Sequence, residues 1–475
     1  MVHGNIRNSQ VELKIFRYGT TDRQFLAPEV NGTVFVKAPA STGKFTAYYC
    51  INNGYFCIAN VDFEVESPKV TCRRKGDTAS SIKNVIIIIS ENHSFDNYYG
   101  NYCKAPPKSS PVCNVGRECC ERAAREFPFE PTVLNDKTNL LYDPTHDYES
   151  EKCKINNGKM DRFASSGKCP RSYQQALEMY SSNDKTIAFA DGTVGSASRY
   201  WHWAENYAMS DRFFQSAVGA SSENDMYFAR GGWVFKDNWV VPLSYNRNLP
   251  YKTKMSYDDP TIADLLLKCD VSFTFYAEGY TTNQSPDDRW PHQYDASDNP
   301  FQYFSSLTNH ANSNEIFKNF NSFETDIQKG TLPSVSYLKA LGINSEHPGY
   351  STISSGERFN DKVIDLVMNS TLYSNNTLII LVPDESGGFY DSIAPPPTNP
   401  LDSRPYGPRT SFLLVGAAAK KNYISHEILE PASIIRFLET NYFDDKLPGQ
   451  LQTRDAVVKN IGSLLDRNIT GFDFL

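Results

Sequence analysis

The chain lacks any hydrophobic run long enough to cross a bilayer as a helix, which excludes a helical membrane protein. It has no run of Lys or Arg that would make a basic stripe, and its formal net charge is −8, which excludes a nucleic-acid-binding surface. No paired Cys-x-x-Cys pattern occurs, so a thiolate zinc module is excluded as well. There is no internal repeat and no low-complexity tract. The N-terminal MVHGNIRNSQ has no apolar h-region, so a signal peptide is either absent or already removed.

What is present is a sequence of 475 residues, too long for one small core and about right for one large α/β domain with insertions. Hydrophobic residues make up 40% and aromatic residues 13%, a globular composition rich in rings. Ten cysteines occur, at 50, 57, 72, 103, 113, 119, 120, 153, 169 and 269. Asn-X-Ser/Thr acceptors stand at Asn31, Asn283, Asn369, Asn375 and Asn468, and a sixth at Asn92. The even cysteine count and the acceptors together imply a secreted, oxidised, glycosylated protein.

Two textures divide the chain. Residues 1–80 contain short alternating segments, VELKIFRYG, GTVFVKAP and KFTAYYCINNGYFCIANVDFEVES, separated by Gly, Pro and Asn turns. They predict a small antiparallel β unit. Asn53-Gly54 is a hairpin turn signal; a two-residue turn there sets Ile51 opposite Phe56 and Cys50 opposite Cys57, which predicts a Cys50–Cys57 disulfide with Cys72 as the competing partner. Residues 81–475 alternate buried strands with amphipathic helices. Strands are predicted at 84–90, 271–276, 378–382 and 411–415, and helices at 261–268, 356–368 and 431–439. The alternation predicts an α/β fold, a doubly wound, mostly parallel sheet. Between Tyr102 and Met160 the Cys-, Pro- and Lys-rich chain reads as an irregular excursion pinned by disulfides.

The stretch VIIIISENHSFD, from Val85 to Asp96, organises the chemistry. Five aliphatic residues read as a strand buried on both faces, and polarity then switches at Ser90, Glu91 and Asn92. LIILVPDESGGFYD repeats the arrangement, with Asp384 and Glu385 after the strand and Gly387-Gly388 for a sharp turn. These four residues offer only oxygen ligands, which suits one hard divalent cation, Mg, Ca or Mn rather than Zn. In a third stretch, Gly219-Ala220-Ser221-Ser222-Glu223-Asn224, small residues and hydroxyls precede a helix-compatible run, so that an Oγ can sit at a helix N-terminus beside an anion. An ordinary N-cap serine is the plain alternative. His146, His347 and His426 stand in loop contexts, where a lone histidine is commonly structural.

ENHSFDNYYG resembles the ENxSFDHYFG motif of the phosphoesterase family, which includes bacterial non-haemolytic phospholipases C, plant non-specific phospholipases C and the Francisella-type acid phosphatase. DPTHDY with NGKMDRF, SDRFFQSAVGASSEN, TIADLLLKCDVSFTFYAEG, KGTLPSVSYL, EHPGYS, DESGGFYDSIAPP and PRTSFLLVGAAAKK match further family motifs in order, over about Ile82–Tyr442. The resemblance implies an alkaline-phosphatase-like fold. It implies Glu91, Asn92, Ser221, Asp384 and Glu385 as metal ligands and Ser221 as the nucleophile. It further implies that His146 and His347 contact the phosphoryl group or protonate the leaving group, with Asn92 sharing in substrate binding. A carboxylate neighbour such as Glu346 is expected to raise the pKa of His347.

Three departures stand out: Ser222 where many phospholipases C have His, Glu223 in place of Pro, and Asp298 where many members have His, with His292 six residues earlier. The expected activity is phospholipase C-like hydrolysis of a phosphoric ester through a phospho-serine. Acid phosphatase activity on monoesters, or a catalytically silent secreted protein on the same fold, are the alternatives. A phospholipid or small phosphate ester is the expected substrate, with peripheral membrane contact and no nucleic acid.

Overall fold

The structure is a computed structural model. It describes the backbone of strands 11–17, 43–51 and 56–65, and residues 70–474 apart from 125–126, 164–168, 181–184, 248, 283–289, 400 and 445–448. The acceptors Asn31 and Asn283, the Asn53-Gly54 turn and the side chains of Cys50 and Cys57 lie outside the described residues. The chain divides into two compact units, Met1–Lys69 and Val70–Leu475.

In the first unit the strands Val11–Arg17, Gly43–Ile51 and Phe56–Val65 form an antiparallel sheet in that order. Ile51 stands opposite Phe56 and Cys50 opposite Cys57, the backbone register that the hairpin signal predicts. An irregularity follows between Tyr49 and Cys50.

The second unit is built on an eight-stranded sheet. Its order is Phe317–Asn319, Phe273–Ala277, Val335–Lys339, Asn84–Ser90, Thr377–Pro383, Phe412–Val415, Ala208–Ser210 and Tyr423–Ser425. All strands run parallel except Phe412–Val415, which is antiparallel to both neighbours. The four strands predicted from sequence are present, with ends shifted by one or two residues. Val271 and Ser272 precede their strand, which instead reaches Ala277. The predicted helices are also present; the middle one starts earlier, at Ile353, where Thr352 caps it, and the last runs on to Tyr442.

The central strand carries apolar residues without alternation because both faces are covered. Val85, Ile87 and Ile89 pack into one core, with Phe228, Leu266, Ile434 and Leu438. Ile86 and Ile88 pack into the other, with Phe95, Tyr200, Phe323 and Val363. Each such aliphatic side chain, fully removed from water, stabilises the fold by about 1.5–3 kcal/mol. The sheet's two buried faces therefore hold the carboxyl ends of its strands at fixed positions, and that edge is where open α/β sheets bind ligands.

Disulfides join Cys103 to Cys120, Cys113 to Cys119 and Cys153 to Cys169, which pins the irregular excursion as expected. The fourth joins Cys72 to Cys269, so Cys72 does not compete for Cys50 or Cys57. The same bridge, with the Ala79 N–H to Asn441 carbonyl bond, ties residues 70–80 into the second unit.

Candidate active site

Three adjacent parallel strands end at one edge of the sheet, and each delivers a charged side chain there. Val335–Lys339 ends in Lys339, Asn84–Ser90 is followed by Glu91, and Thr377–Pro383 by Asp384. Pairing Leu338 with Ile88, and Ser90 with Pro383, sets the three ends side by side. Asn92 follows in the left-handed region with φ 57°, a conformation Asn tolerates better than most residues. Its N–H donates to Asp384 Oδ1 at 3.3 Å. Gly387 turns the second acidic loop back on the first: a Cβ there would lie 2.2 Å from the Asn92 carbonyl oxygen. No other residue type fits that approach.

Ser221 is the first residue of the helix Ser221–Arg230, all ten residues of which are buried. Its N-cap is Ala220, so the Ser221 hydroxyl does no capping. That hydroxyl lies 3.5 Å from Asn92 Oδ1, at the positive end of the helix. Asn224 braces the loop before the helix, accepting from Ala217 N–H at 3.0 Å and donating to the Gly219 carbonyl at 2.9 Å. Glu151 links this loop to the Gly387 turn, accepting from Gly219 N–H at 3.0 Å and from Ser386 Oγ at 2.8 Å.

Glu223, one of the departures from the family motif, is tied to the Trp233 indole N–H at 2.8 Å and the Asp237 N–H at 2.7 Å. It serves the frame of the loop. The Ser222 N–H donates to Asn238 Oδ1 at 2.8 Å.

His146 and His347 close the other side, with ring centroids 6.0 Å apart. Each is positioned by a backbone carbonyl at Nδ1, Pro144 for His146 and Pro348 for His347, both at 2.6 Å. An Nδ1–H donated there leaves each Nε2 without that proton, and the Nε2 of His146 faces the site. His146 Nε2 lies 3.5 Å from Asn92 Nδ2 and 3.6 Å from Glu385 Oε1. His347 stacks on Tyr350 at 4.2 Å. With Asp143 these histidines form a trio whose ligand atoms lie within 4.8 Å of one another, a nitrogen-rich group of metal-binding geometry beside the oxygen-only one.

Burial sets the electrostatics. Burial first, and then the Glu91 charge, push the Asp384 carboxyl up to about 7. Burial and the Asp384 charge raise Glu385 well above the usual carboxylate range. Asp384 Oδ2 and Glu385 Oε1 are buried without a hydrogen-bond partner. Two such oxygens next to a hydroxyl and an amide oxygen fit a hard divalent cation, which would supply the charge that burial denies them.

The expected effect of Glu346 on His347 is corrected. Burial pushes His347 down to about 4, against the opposing pull of Asp143. Glu346 points away, accepting from Tyr200 Oη at 2.8 Å and from the Tyr98 hydroxyl. Burial pushes its own carboxyl up to about 8, so it is largely uncharged at neutral pH and cannot hold a proton on its neighbour.

Other residues have different places. His426 bonds Asp211 at 2.9 Å and the Cys113 carbonyl at 2.8 Å, and pins the disulfide loop. His292 is exposed. Asp298 belongs with the acidic cluster: burial and the Asp295 charge raise it strongly, and it feels Glu91, Lys339 and Asp225. Lys339 and Asp225 were not singled out from sequence. The signal for Lys339 was available, since SVSYLK is one more buried strand ending in a charge.

Comparison with known proteins agrees with the family resemblance. The non-hemolytic phospholipase C of Burkholderia pseudomallei is 21% identical over 436 residues, 80% of this chain and 58% of that protein. The non-specific phospholipase C6 of Arabidopsis thaliana is 24% identical over 341 residues, 67% of this chain and 55% of that protein. An acid phosphatase of Aspergillus fumigatus is 28% identical over 138 residues, 28% of this chain and 30% of that protein. The chain thus spans less than two thirds of the length of these curated relatives. Among solved structures, a protein of the alkaline phosphatase superfamily from Vibrio parahaemolyticus matches 78% of this chain and 68% of its own at 10% identity and a TM-score of 0.32. The family model covers residues 82–443, most of the chain, and on that match the chain belongs to the Phosphoesterase family.

Proposed function

We propose that the chain is a metal-dependent phosphoric ester hydrolase, phospholipase C-like, that works through a covalent phospho-serine. The observation that carries this reading is the Ser221 hydroxyl, at the N-terminus of a buried helix, beside Asn92 Oδ1, with Asp384 bonded to the Asn92 N–H and unpartnered buried oxygens on Asp384 and Glu385. Glu91 is included in the ligand set, with one oxygen engaged by Lys339 at 2.6 Å. A divalent ion held there would supply Lewis-acid polarisation of the serine hydroxyl and of a phosphoryl oxygen.

The chain's own residues do the rest. The helix terminus stabilises the ionised Ser221 Oγ, whose proton passes to solvent. Asn92 orients a phosphoryl oxygen through its side-chain amide. Ser221 Oγ bonds to phosphorus as the bond to the leaving oxygen breaks, and a histidine Nε2–H protonates that oxygen. Water then hydrolyses the phospho-serine and restores the hydroxyl. Diester substrates of the phospholipid type are favoured over monoesters by the phospholipase C relatives that match most of the chain, against an acid phosphatase that matches 28% of it. The four disulfides among the described residues suit an oxidising, extracellular setting, and no helix among them is long and apolar enough to cross a membrane.

One observation favours a catalytically silent protein: the Lys339–Glu91 ion pair takes an oxygen from the ligand set. Assay of the purified chain with p-nitrophenyl phosphate and p-nitrophenyl phosphorylcholine decides. Turnover of at least one substrate should be lost to a chelator and restored by one of Mg²⁺, Ca²⁺, Mn²⁺ or Zn²⁺. No turnover with any of these ions refutes the hydrolase reading.

The leaving group separates the histidines. Burial holds His347 neutral above about pH 4 in the free protein, so it becomes an acid only when an anionic phosphoryl group draws a proton to Nε2. As the acid form is lost with rising pH, kcat/KM for an alkyl phosphate should fall from pH 5 to 8, and more steeply than for a p-nitrophenyl ester, whose leaving group needs little protonation. His347→Ala should cost alkyl esters about 10²–10⁴-fold and p-nitrophenyl esters far less. Equal losses on both would assign His347 to phosphate binding and make His146 the acid.

A further inference from the structure

Lys339 Nζ lies 2.6 Å from Glu91 Oε1, and both side chains are almost wholly buried. Asp225, in the Ser221–Arg230 helix, is fully buried, and neither of its carboxylate oxygens has a hydrogen-bond partner. Asp298 and Asp384 complete the surroundings. Glu91, Asp225, Asp384 and Asp298 are the carboxylates whose charges act on Lys339. Among the described residues no other Lys or Arg makes an ion pair with these four carboxylates. One fixed ammonium therefore faces four acids, and Glu385 is a fifth nearby.

Fully ionised, these five acids carry more charge than a single divalent ion balances. Placing a second divalent ion beside Glu91 and Asp225 would bring it against the ammonium, where like-charge repulsion in a poorly hydrated interior is strong. An ammonium has three donors, demands no coordination polyhedron and cannot leave the chain. We propose that Lys339 is the second cation of this centre, built into the chain. It fills the acidic pocket between Glu91, Asp225 and Asp298, orients Glu91, and limits the centre to one divalent ion on the Asn92, Ser221, Asp384 and Glu385 side. The proposal rests on the metal-dependent reading above. Lys339 is on this account a positioning residue, and the loss of His at position 298 is accommodated because Asp298 gains a cation to face.

The test counts metal rather than turnover. The full chain is stripped with a chelator and titrated with Mn²⁺, and bound metal is read by calorimetry, elemental analysis and electron paramagnetic resonance. Wild type and Lys339→Arg should bind one equivalent. Lys339→Met should bind two, with the pair visible as spin–spin broadening, and Lys339→Met/Asp225→Asn should return to one. If Lys339→Met folds only when Mn²⁺ is present, two equivalents in that folded form support the proposal equally. A Lys339→Met chain that binds one equivalent at wild-type affinity overturns it, as does one that stays unfolded in excess Mn²⁺ while the double variant folds. A wild type that binds two also overturns it and leaves the hydrolase reading standing. A wild type that binds none removes the metal-dependent reading, and this proposal with it.

Discussion

Ser221→Ala should lower hydrolysis by on the order of 10⁴-fold or more while the chain still folds, because removing a nucleophile removes the covalent route altogether. The fold has little to lose. Ser221 caps nothing, and the bond from its hydroxyl to Asn92 Oδ1 is long, 3.5 Å. Alanine also suits a first helical turn, so the change in stability should stay within about 1 kcal/mol. Ser222→Ala is the control. Its backbone N–H bonds Asn238 whatever the side chain, so it should keep most of the activity. Urea unfolding and kcat measured on both variants check this. An active Ser221→Ala beside an inactive Ser222→Ala would move the nucleophile one residue along.

The largest effect on stability is expected at Arg409. Its guanidinium is fully buried and bonds Asp391 Oδ1 at 2.9 Å, Asp96 Oδ1 at 3.0 Å and the Asp211 carbonyl at 3.0 Å, and it lies over the Phe95 ring at 4.3 Å. Asp96 lies in the first turn of the helix after the first acidic loop, and Asp391 follows the second, so this one side chain ties the two site segments together from behind. Burial and the Asp391 charge already push Asp96 up to about 7 with the guanidinium in place. Arg409→Met would leave two buried carboxylates with no cation. The loss should be about 3–5 kcal/mol, the usual cost of stranding one side of a buried pair. Lys at this position cannot make the same fork, so Arg409→Lys should recover only part. Denaturant titration reads both; a loss under about 1 kcal/mol for Arg409→Met would mean that the network carries no weight.

Much of this architecture was legible because single residues declare their setting. Five consecutive aliphatics from Val85 to Ile89 can be satisfied only between two cores, and that is where they lie. Glu91 and Asp384 could be placed together because each follows such a strand, and parallel strands share a carboxyl edge. Distant pairings had no such marker. Cys72 could be matched to Cys269 only in three dimensions, across 197 residues. Asp96, Asp391 and Arg409 look like loop polars in sequence, since nothing local announces that they will meet in a buried network. SVSYLK marks Lys339 as the charged end of a buried strand, but a lysine at a strand end normally reaches solvent. Its burial follows from the acids of other strands, which only the register brings to it. For His347 the local neighbour misled: Glu346 is adjacent in sequence, yet left-handed backbone at that residue, φ 75°, turns its carboxyl toward Tyr98 and Tyr200.

Asn92 is fully buried at the centre of the site, and it is also the first residue of an Asn-His-Ser acceptor triplet. Oligosaccharide transfer in a eukaryotic secretory host acts on the extended nascent chain, before that burial exists. A sugar tree placed on Asn92 has no room once Gly387 closes on its carbonyl oxygen, so a chain modified there cannot finish the site. Glycan transfer and maturation of the centre are thus competing fates of one side chain, settled by which comes first during synthesis. Asn369, Asn375 and Asn468 are exposed and carry no such conflict. The practical outcome is a producer effect: a cell line that folds this segment slowly would yield a dead, Asn92-glycosylated fraction. Bacterial expression, or Ser94→Ala with its own cost to the cap of the following helix, would yield none.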